Sequence, residues 1–358
     1  MPKYKIAVYA ICKNEIKHAG RWMASMGEAD GVYVLDTGSE DGSPEELSRL
    51  GAHVSKAVID PWRFDRARNM SLDAVPEDYD ICVCCDLDEV FPHGWREKLE
   101  QAWSGGINRL SYPFVYDAQN GESFFYRNLI HSRRGFKWVY PIHEALYCTG
   151  QELCGRCDTL KLYHYPDPSK SRDSYLPLLE KAVEEYPGDL RMRHYLGREY
   201  MFRGMYDKAL PVLRSHAAEC SWAEEKSASL RYAGRCLEAL DRPEEAEEAY
   251  RSALRACPHM REPYVELALR LYKSGNMRGC LGAALGSLAI TEPQPGYFNE
   301  GYAWGSLPWD LAAVSAFKLG QTERAVFYAK KALDLTPSDQ RLLSNYNMMK
   351  DAAGISAL

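Results

Sequence analysis

The sequence predicts an α/β domain followed by an all-α domain built from helical repeats. Short apolar runs without helical period alternate with amphipathic stretches up to about residue 165, as in α/β proteins. The composition changes near Pro166-Asp167-Pro168-Ser169, after which strand-like runs are absent. Small residues, aromatic residues and prolines then recur every ~34 residues between 190 and 337. We therefore predict one domain over residues 1–168 and a second over residues 169–358.

The first elements predict a β-α-β unit. Residues 4–11, YKIAVYAI, read as a buried strand that ends at Cys12-Lys13-Asn14-Glu15. The stretch Ile16 to Met26 predicts a helix, and Gly31 to Leu35 predicts a second strand that stops at the polar turn Asp36 to Ser43. Ligands of such sheets bind beyond the carboxyl ends of the strands, so both turns are candidate binding loops. A capped turn that serves only the fold is the alternative for residues 36–43.

An Asp-x-Asp pair follows a third apolar run. Tyr79 to Cys85 predicts a buried strand, and Asp86-Leu87-Asp88-Glu89 comes next. Crowded carboxylates repel one another unless a cation or solvent compensates. A hard divalent ion bound to phosphates is the natural partner, because it prefers oxygen ligands. A solvated acidic pair at a strand end is the alternative interpretation.

Four motifs, AICKNE, LDTGSEDGS, WRFDRARNMS and CCDLDE, occur in this order within residues 4–165. In order and spacing they resemble the inverting family 2 glycosyltransferases. The resemblance implies a GT-A (Rossmann-like) domain that binds a nucleoside diphosphate sugar, with a UDP-sugar favoured. Carboxylates suit such a ligand, because they accept hydrogen bonds from ribose hydroxyls. The residues that the resemblance implies for holding the nucleotide are Ala10, Asn14, Glu15, Asp36, Asp65, Arg68, Asn69, Asp86 and Leu87.

Asp65 has a second interpretation. A helix is predicted from Phe64 through Leu72, and Asp65 fits its N-cap, with the basic residues of the helix solvated. Arg68 is the stronger functional candidate, because a guanidinium can fork onto a carboxylate or a phosphate.

The resemblance also implies a metal site and a catalytic base. Asp88 is the expected first metal ligand, and His164 completes the metal shell. Asp86 is expected to reach either the ribose or, through water, the metal. A neutral imidazole suits Mn²⁺ better than Mg²⁺, so Mn²⁺ is the favoured ion. Glu144 is the expected base that takes the proton of the acceptor hydroxyl, and His143 supports it or binds the acceptor. Should Glu144 not be the base, His143 and Asp117 are the next candidates.

The cysteines allow two interpretations. Cys148, Cys154 and Cys157, followed by His164, contain one C-x-x-C and could form a zinc knuckle, although the spacing is incomplete. Eleven cysteines, several within predicted buried strands, instead indicate reduced thiols in a cytoplasmic protein. No apolar segment reaches the ~18 residues that cross a bilayer. We expect a soluble cytoplasmic protein, with the inner face of the membrane as a second, peripheral location.

The helical part predicts tetratricopeptide-like repeats. Gly234 with Ala246 and Tyr250 illustrates the pattern, in which a small residue allows close helix contact and an aromatic residue fills the next turn. An aromatic insertion at residues 295–304 lengthens one repeat, and stacking on its Tyr and Trp side chains would suit an acceptor. The repeats could equally bind a protein partner, form a homodimer or brace the other domain.

The resemblance implies a metal-dependent inverting glycosyltransferase that delivers a sugar to a glycan, a lipid-linked saccharide or a peptide. The alternative is a repeat scaffold whose transferase domain binds a nucleotide without catalysis. The formal net charge of −6 disfavours nucleic acid as a partner.

Overall fold

The computed structural model describes residues 3–116, 124–167, 173–294 and 296–354. The chain forms two compact units, the first reaching Glu184 and the second beginning at Glu185. A short segment that ends at Tyr297 groups with the first unit. Asp117 and Pro168 lie outside the described residues.

The division between the units falls later than the predicted domain boundary after residue 168. The helix Tyr175–Glu185 groups almost entirely with the first unit. The ring of Tyr175 lies edge-on to Phe64 at 6.5 Å and to His143 at 6.0 Å between centroids. Phe64 and His143 are distant from Tyr175 in the sequence, so the composition change near Pro166 could not indicate these contacts.

Eleven strands are assigned among the described residues. They are β1 (Ile6–Cys12), β2 (Gly31–Asp36), β3 (His53–Lys56), β4 (Ile81–Cys84), β5 (Glu89–Val90), β6 (Arg109–Val115), β7 (Phe124–Ser132), β8 (Phe136–Val139), β9 (Ala145–Cys148), β10 (Cys154–Arg156) and β11 (Leu162–His164). Nine of these form one sheet in the order β3-β2-β1-β4-β7-β6-β11-β5, with β10 also paired to β6. Strands β8 and β9 form a separate hairpin.

The sheet is mixed. Strands β1, β2, β3 and β4 run parallel, whereas β7 is antiparallel to both β4 and β6. Strand β1 lies between β2 and β4 and is almost wholly buried, which explains its continuous apolar sequence. The parallel strands end at one edge of the sheet, because they share a direction. The predicted β-α-β unit is confirmed.

Five helices accompany this sheet among the described residues of the first unit. They are α1 (Ile16–Met26), α2 (Ser43–Arg49), α3 (Phe64–Asp73), α4 (Trp95–Ala102) and α5 (Tyr175–Glu185). Helix α1 buries Ala19, Trp22 and Met26 on one face, as its amphipathic sequence predicts. The N-cap prediction for Asp65 is wrong, because Arg63 occupies that position and Asp65 already lies inside α3. Asp65 instead accepts hydrogen bonds from the Arg63 guanidinium at 3.0 and 2.8 Å.

The second unit is helical in its described residues. Its helices are α6 (Leu190–Phe202), α7 (Tyr206–Glu219), α8 (Ala223–Ala239), α9 (Pro243–Ala256), α10 (Arg261–Lys273), α11 (Met277–Leu288), α12 (Leu307–Lys318), α13 (Thr322–Leu335) and α14 (Gln340–Ala352), with a short 3-10 turn at Gly301–Ala303. Successive helices pack against one another as pairs. No helix among the described residues is both long enough and apolar enough to cross a membrane.

Close helix contacts confirm the repeat pattern. A Cβ added at Gly234 in α8 would lie 2.4 Å from the Tyr250 ring in α9. A Cβ at Gly197 in α6 would lie 2.7 Å from the Leu213 side chain in α7. Glycine is therefore needed where these helices meet, and a large side chain of the partner helix fills the space.

Candidate functional site

The site is built at the edge where the parallel strands end. Strand β1 ends at Cys12, β2 at Asp36 and β4 at Cys84. The register pairs Cys12 with Asp36 and Tyr9 with Cys84, so the loops that follow leave the sheet side by side. The three polar motifs predicted from the sequence are therefore neighbours.

Hydrogen bonds join the first two loops. The Asn14 side-chain oxygen accepts from the Glu40 N–H, and the Asn14 N–H donates to Ser39 Oγ, both at 2.8 Å. The Glu15 N–H donates to Ser43 Oγ at 2.7 Å. Asn14 adopts a positive φ of 56°, a conformation that asparagine tolerates better than most residues. These contacts hold two candidate nucleotide-binding loops in one arrangement.

Asp36 orders its own turn. The carboxylate is buried and accepts hydrogen bonds from the N–H groups of Gly38 and Ser39 at 3.2 to 3.3 Å. Gly38 has a φ of 102°, which favours glycine at this point. The capped-turn interpretation of this segment therefore has direct support, whatever else Asp36 binds.

Several other residues that are predicted to bind the nucleotide make contacts within the protein itself. Ala10 and Leu87 are buried in the core. The Ala10 carbonyl accepts from Ser71 Oγ at 2.7 Å. Asn69 pairs with the backbone of Trp138, donating to its carbonyl and accepting from its N–H, each at 2.9 Å. Asn69 thereby fastens α3 to the β8–β9 hairpin.

Arg68 is the centre of the site. Its guanidinium forks onto both carboxylate oxygens of Asp86, and its Nε donates to Glu144 Oε1 at 3.0 Å. The side chain is 7% exposed. Burial opposes the charge, but the nearby anionic groups, Asp86 foremost and Glu144 also, outweigh it and raise the pKa of Arg68 well above its ordinary value. One buried cation thus links the acidic motif to the predicted base.

A chain of hydrogen bonds leads from Trp138, which lies beside Arg68, to the backbone of Ser132. Trp138, whose ring faces the guanidinium 5.5 Å from the ring centroid, donates through Nε1 to Tyr9 Oη at 2.9 Å. Tyr9 Oη lies 2.9 Å from His131 Nε2, and His131 Nδ1 lies 2.8 Å from the Ser132 carbonyl. The carbonyl accepts only, so Nδ1 carries the proton and Tyr9 donates to Nε2. Burial lowers the pKa of His131 to about 3, consistent with a neutral ring.

Asp88 and His164 meet through strand pairing. Strands β5 and β11 are antiparallel and place His164 opposite Glu89, and the Tyr165 N–H donates to the Asp88 carbonyl at 2.8 Å. His164 Nε2 lies 3.5 Å from Asp88 Oδ2, while Nδ1 donates to the Tyr116 carbonyl at 2.7 Å. Burial lowers the pKa of His164, but Asp88 outweighs it and raises that pKa overall.

Glu89 and Arg127 belong to the site although neither was among the predicted site residues. Glu89 is buried, accepts from the Asp86 N–H at 2.9 Å and pairs with the Arg127 guanidinium. Burial raises the pKa of Glu89 although Arg127 opposes the shift. A charged residue within the aromatic run of β7 was the available signal, because a buried cation needs a partner. Ligand atoms of Asp86, Asp88 and Glu89 lie within 4.8 Å of one another.

His143 and Glu144 follow one another but differ in their contacts. His143 has a positive φ of 48° and lies against Tyr175, whereas Glu144 turns toward Arg68. The backbone between them therefore sends the two side chains to different neighbours. The alternative base Asp117 lies outside the described residues.

The cysteines assigned to a zinc knuckle do not converge. Among the described residues, the groups of three ligand side chains close enough to share an ion include none of Cys148, Cys154 and Cys157. Cys157 Sγ approaches Thr159 Oγ1 at 3.5 Å, and Cys154 is exposed. The zinc-knuckle interpretation therefore has no geometric support in the described part of the chain.

The Tyr and Trp side chains of the aromatic insertion are predicted to suit stacking with an acceptor, but two of them are hydrogen-bonded within the helical unit. Tyr302 Oη donates to Glu266 and Trp304 Nε1 donates to Glu262, each at 2.9 Å, so both are bonded to α10. Tyr297 is 40% exposed. Two of the four aromatic residues of the insertion, Tyr302 and Trp304, thus brace the helical unit.

A family model for the tetratricopeptide repeat matches residues 233–260 and 309–339. These residues cover α9 and α13 and parts of the neighbouring helices. The second unit carries tetratricopeptide repeats.

A curated relative is described as a glycosyltransferase. The chain is 22% identical over 178 residues to the lipopolysaccharide core biosynthesis glycosyltransferase LpsC of Rhizobium meliloti (strain 1021). The match covers 46% of this chain and 64% of that protein, so the chain spans under two thirds of the relative's length.

Solved structures with tetratricopeptide repeats are also similar. A thermophilic repeat protein of Thermus thermophilus is 19% identical, with a TM-score of 0.36, covering 49% of this chain and 89% of that one. Pseudomonas aeruginosa pilF is 15% identical, with a TM-score of 0.39, covering 49% and 72%.

Proposed function

We propose that this protein is a metal-dependent inverting glycosyltransferase of the GT-A type. The observation that carries the proposal is the Arg68 cluster, in which one buried guanidinium joins Asp86 of the acidic motif to Glu144. The partial similarity to a lipopolysaccharide core glycosyltransferase adds independent support. A domain that served only as a scaffold would not need Asp86 of the acidic motif and Glu144 to be held together by the buried Arg68.

The side chains around Asp88 fit a divalent ion. Because His164 Nδ1 donates to the Tyr116 carbonyl, Nε2 is the ring nitrogen turned toward Asp88, and it could offer its lone pair to an ion bound there. A histidine that ligates a metal commonly donates its other ring N–H to a carbonyl in this way. Asp88 and His164 would hold Mn²⁺ or Mg²⁺, with Asp86 as a further ligand. The ion would offset charge on the departing diphosphate.

Glu144 is the proposed base. A carboxylate can take the proton of an acceptor hydroxyl as its oxygen attacks the anomeric carbon from the face opposite the leaving diphosphate. Arg68 Nε binds one Glu144 oxygen and orients the group, which leaves the second oxygen to meet the acceptor. His143, turned toward Tyr175, would line the acceptor side.

The donor is proposed to be a nucleoside diphosphate sugar, with a UDP-sugar first. The joined loops at Asn14, Glu15 and Asp36 lie next to the acidic motif and offer carbonyl and carboxylate acceptors for ribose and base. The acceptor is proposed to be a glycan, a lipid-linked saccharide or a peptide. For the helical repeats we propose a protein partner or a second copy of the chain, since repeat surfaces commonly bind proteins.

The test is release of nucleoside diphosphate from a panel of UDP- and GDP-sugars with Mn²⁺. We expect slow hydrolysis of one donor without acceptor, and its loss in Asp88→Asn. Calorimetry with UDP and Mn²⁺ gives a second measurement, in which Asp88→Asn should lose the Mn²⁺-dependent part of binding. Tight nucleotide binding without hydrolysis or transfer, for every donor, would instead favour a repeat scaffold with an inactive transferase domain.

A further inference from the structure

The helical unit buries a polar cluster that the proposed transferase chemistry does not use. His194 lies on α6, His216 on α7, and Glu225 and Ser229 lie one turn apart on α8. Their exposed fractions are 0% for both histidines and for Ser229, and 4% for Glu225. Apolar residues would fill such positions at lower cost, because a buried carboxylate needs a compensating charge or donor.

One hydroxyl holds both imidazole rings. Ser229 Oγ lies 2.7 Å from His194 Nδ1 and 2.8 Å from His216 Nδ1. A hydroxyl oxygen has two lone pairs, so it can accept from both Nδ1–H groups at once. His216 Nε2 lies 2.8 Å from Glu225 Oε1, so the two atoms share one proton, which a bound ion would displace.

The three side chains converge from three different helices. One ligand atom from each of His194, His216 and Glu225 lies within 4.8 Å of the other two. Two imidazole nitrogens and a carboxylate oxygen form a donor set suited to borderline divalent ions, zinc foremost. Ser229 would supply the orienting hydrogen bonds that ligating histidines usually receive from outside the metal's own ligands.

We propose that His194, His216 and Glu225 bind a divalent transition-metal ion, with zinc as the first candidate, and that the ion links α6, α7 and α8. Binding would use residues of the helical unit alone and does not depend on the proposed glycosyl transfer. Its expected consequence is a more stable helical unit, because an ion that binds the folded state alone shifts unfolding.

The helical unit contains a second cluster of possible metal ligands, and the experiment must distinguish it from the first. Glu224, Cys257 and His259 also lie close together, with His259 Nε2 at 3.3 Å from Glu224 Oε1 and 3.4 Å from Cys257 Sγ. Burial raises the pKa of the Cys257 thiol to about 11, so the thiolate that a metal requires is disfavoured there. His259 is half exposed.

The experiment uses the full chain carrying Asp88→Asn and Cys257→Ser, which disable the other two candidate sites. The protein is stripped with a chelator and exposed to zinc both in the native state and during refolding, because the site is buried. Bound zinc is counted by atomic spectrometry after gel filtration, and cobalt is used as a spectroscopic probe. We expect one ion per chain, visible cobalt bands of a low-symmetry nitrogen and oxygen site, and a raised thermal midpoint.

Single changes then locate the ion. His216→Gln and His194→Gln should abolish retention of zinc, and Ser229→Ala should weaken binding by about 10- to 100-fold, since it removes only the orienting hydroxyl. His259→Gln is the matched control and should bind as the background does. If a histidine variant fails to fold, Ser229→Ala and the cobalt spectrum of the background still decide the matter. A background protein that retains no zinc after either exposure, or unchanged binding in Ser229→Ala and His194→Gln, would overturn the site in favour of a metal-free hydrogen-bond relay.

Discussion

Arg68→Met tests the cluster on which the proposed function rests. The change keeps an unbranched side chain in α3 but removes the cation shared by Asp86 and Glu144. Both carboxylates then lose their bonds to a guanidinium that is 7% exposed. Arg68→Lys keeps the charge but cannot reproduce the fork onto Asp86 together with the bond to Glu144.

The expected loss follows from the burial of the three groups. Breaking a buried ion pair by removing one partner costs roughly 3–5 kcal/mol. The Glu144 side chain is 13% exposed, but Asp86 is 30% exposed and water can partly compensate it. We therefore expect Arg68→Met to lower the free energy of opening around α3 by about 3 kcal/mol, at the low end of that range. Arg68→Lys should cost less.

Hydrogen exchange followed by mass spectrometry suits the measurement, because it reports α3 separately from the helical unit. Arg49→Met is the control, since it breaks the exposed pair between Arg49 and Glu46 on α2 and should leave protection unchanged. Peptides from α8 and α9 provide an internal reference. If α3 in Arg68→Met is protected as well as in Arg49→Met, Arg68 does not hold the site together.

Three further outcomes are expected. Glu144→Gln should keep donor affinity, measured by calorimetry, yet lower turnover by roughly 100-fold or more, and unchanged turnover would remove Glu144 from the base role. Burial lowers the pKa of His131 from 6.5 to about 3, so on acidification the unfolded chain protonates this ring before the folded chain does. The free energy of unfolding should therefore fall as the pH falls from 6.5 toward 3. His131→Gln should flatten the profile of thermal midpoint against pH. Parallel profiles would exclude His131 as the cause. Gly234→Ala should lower the free energy of unfolding of the helical unit by about 1–3 kcal/mol, because the new Cβ meets the Tyr250 ring. Gly282→Ala in α11, with nothing near its Cβ, should raise that free energy by up to ~1 kcal/mol. Urea unfolding measures both, and changes of the same sign in the two variants would contradict the packing argument.

Local features of the chain could be predicted from sequence because they depend on neighbouring residues. The apolar period of Ile16 to Met26 predicted α1 with its observed ends, and the run before Asp86 predicted buried β4. The recurrence of Gly234 and Tyr250 predicted a helix contact that the structure confirms. In each case hydrophobic period or residue size carries the information.

The sequence placed Arg68, Asp86 and Glu144 in separate motifs, and only the tertiary structure joined them on one guanidinium. The pairing of β5 with β11 brings His164 to Asp88, and antiparallel β7, inserted beside β4, carries Arg127 to Glu89. Strand order of this kind is set by the total burial that a fold achieves, and no short segment encodes it.

In the helical unit, too, the sequence predicts the helices but not the contacts between their side chains. Its repeats follow from the sequence, yet His194, His216 and Glu225 stand at unremarkable positions in three separate helices. Their side chains meet only because stacked helices turn those faces inward, and Tyr302 and Trp304 bond to α10 for the same reason. Local sequence patterns predict which helices and strands form. Packing decides which side chains meet, because contacts between distant segments depend on the fold as a whole.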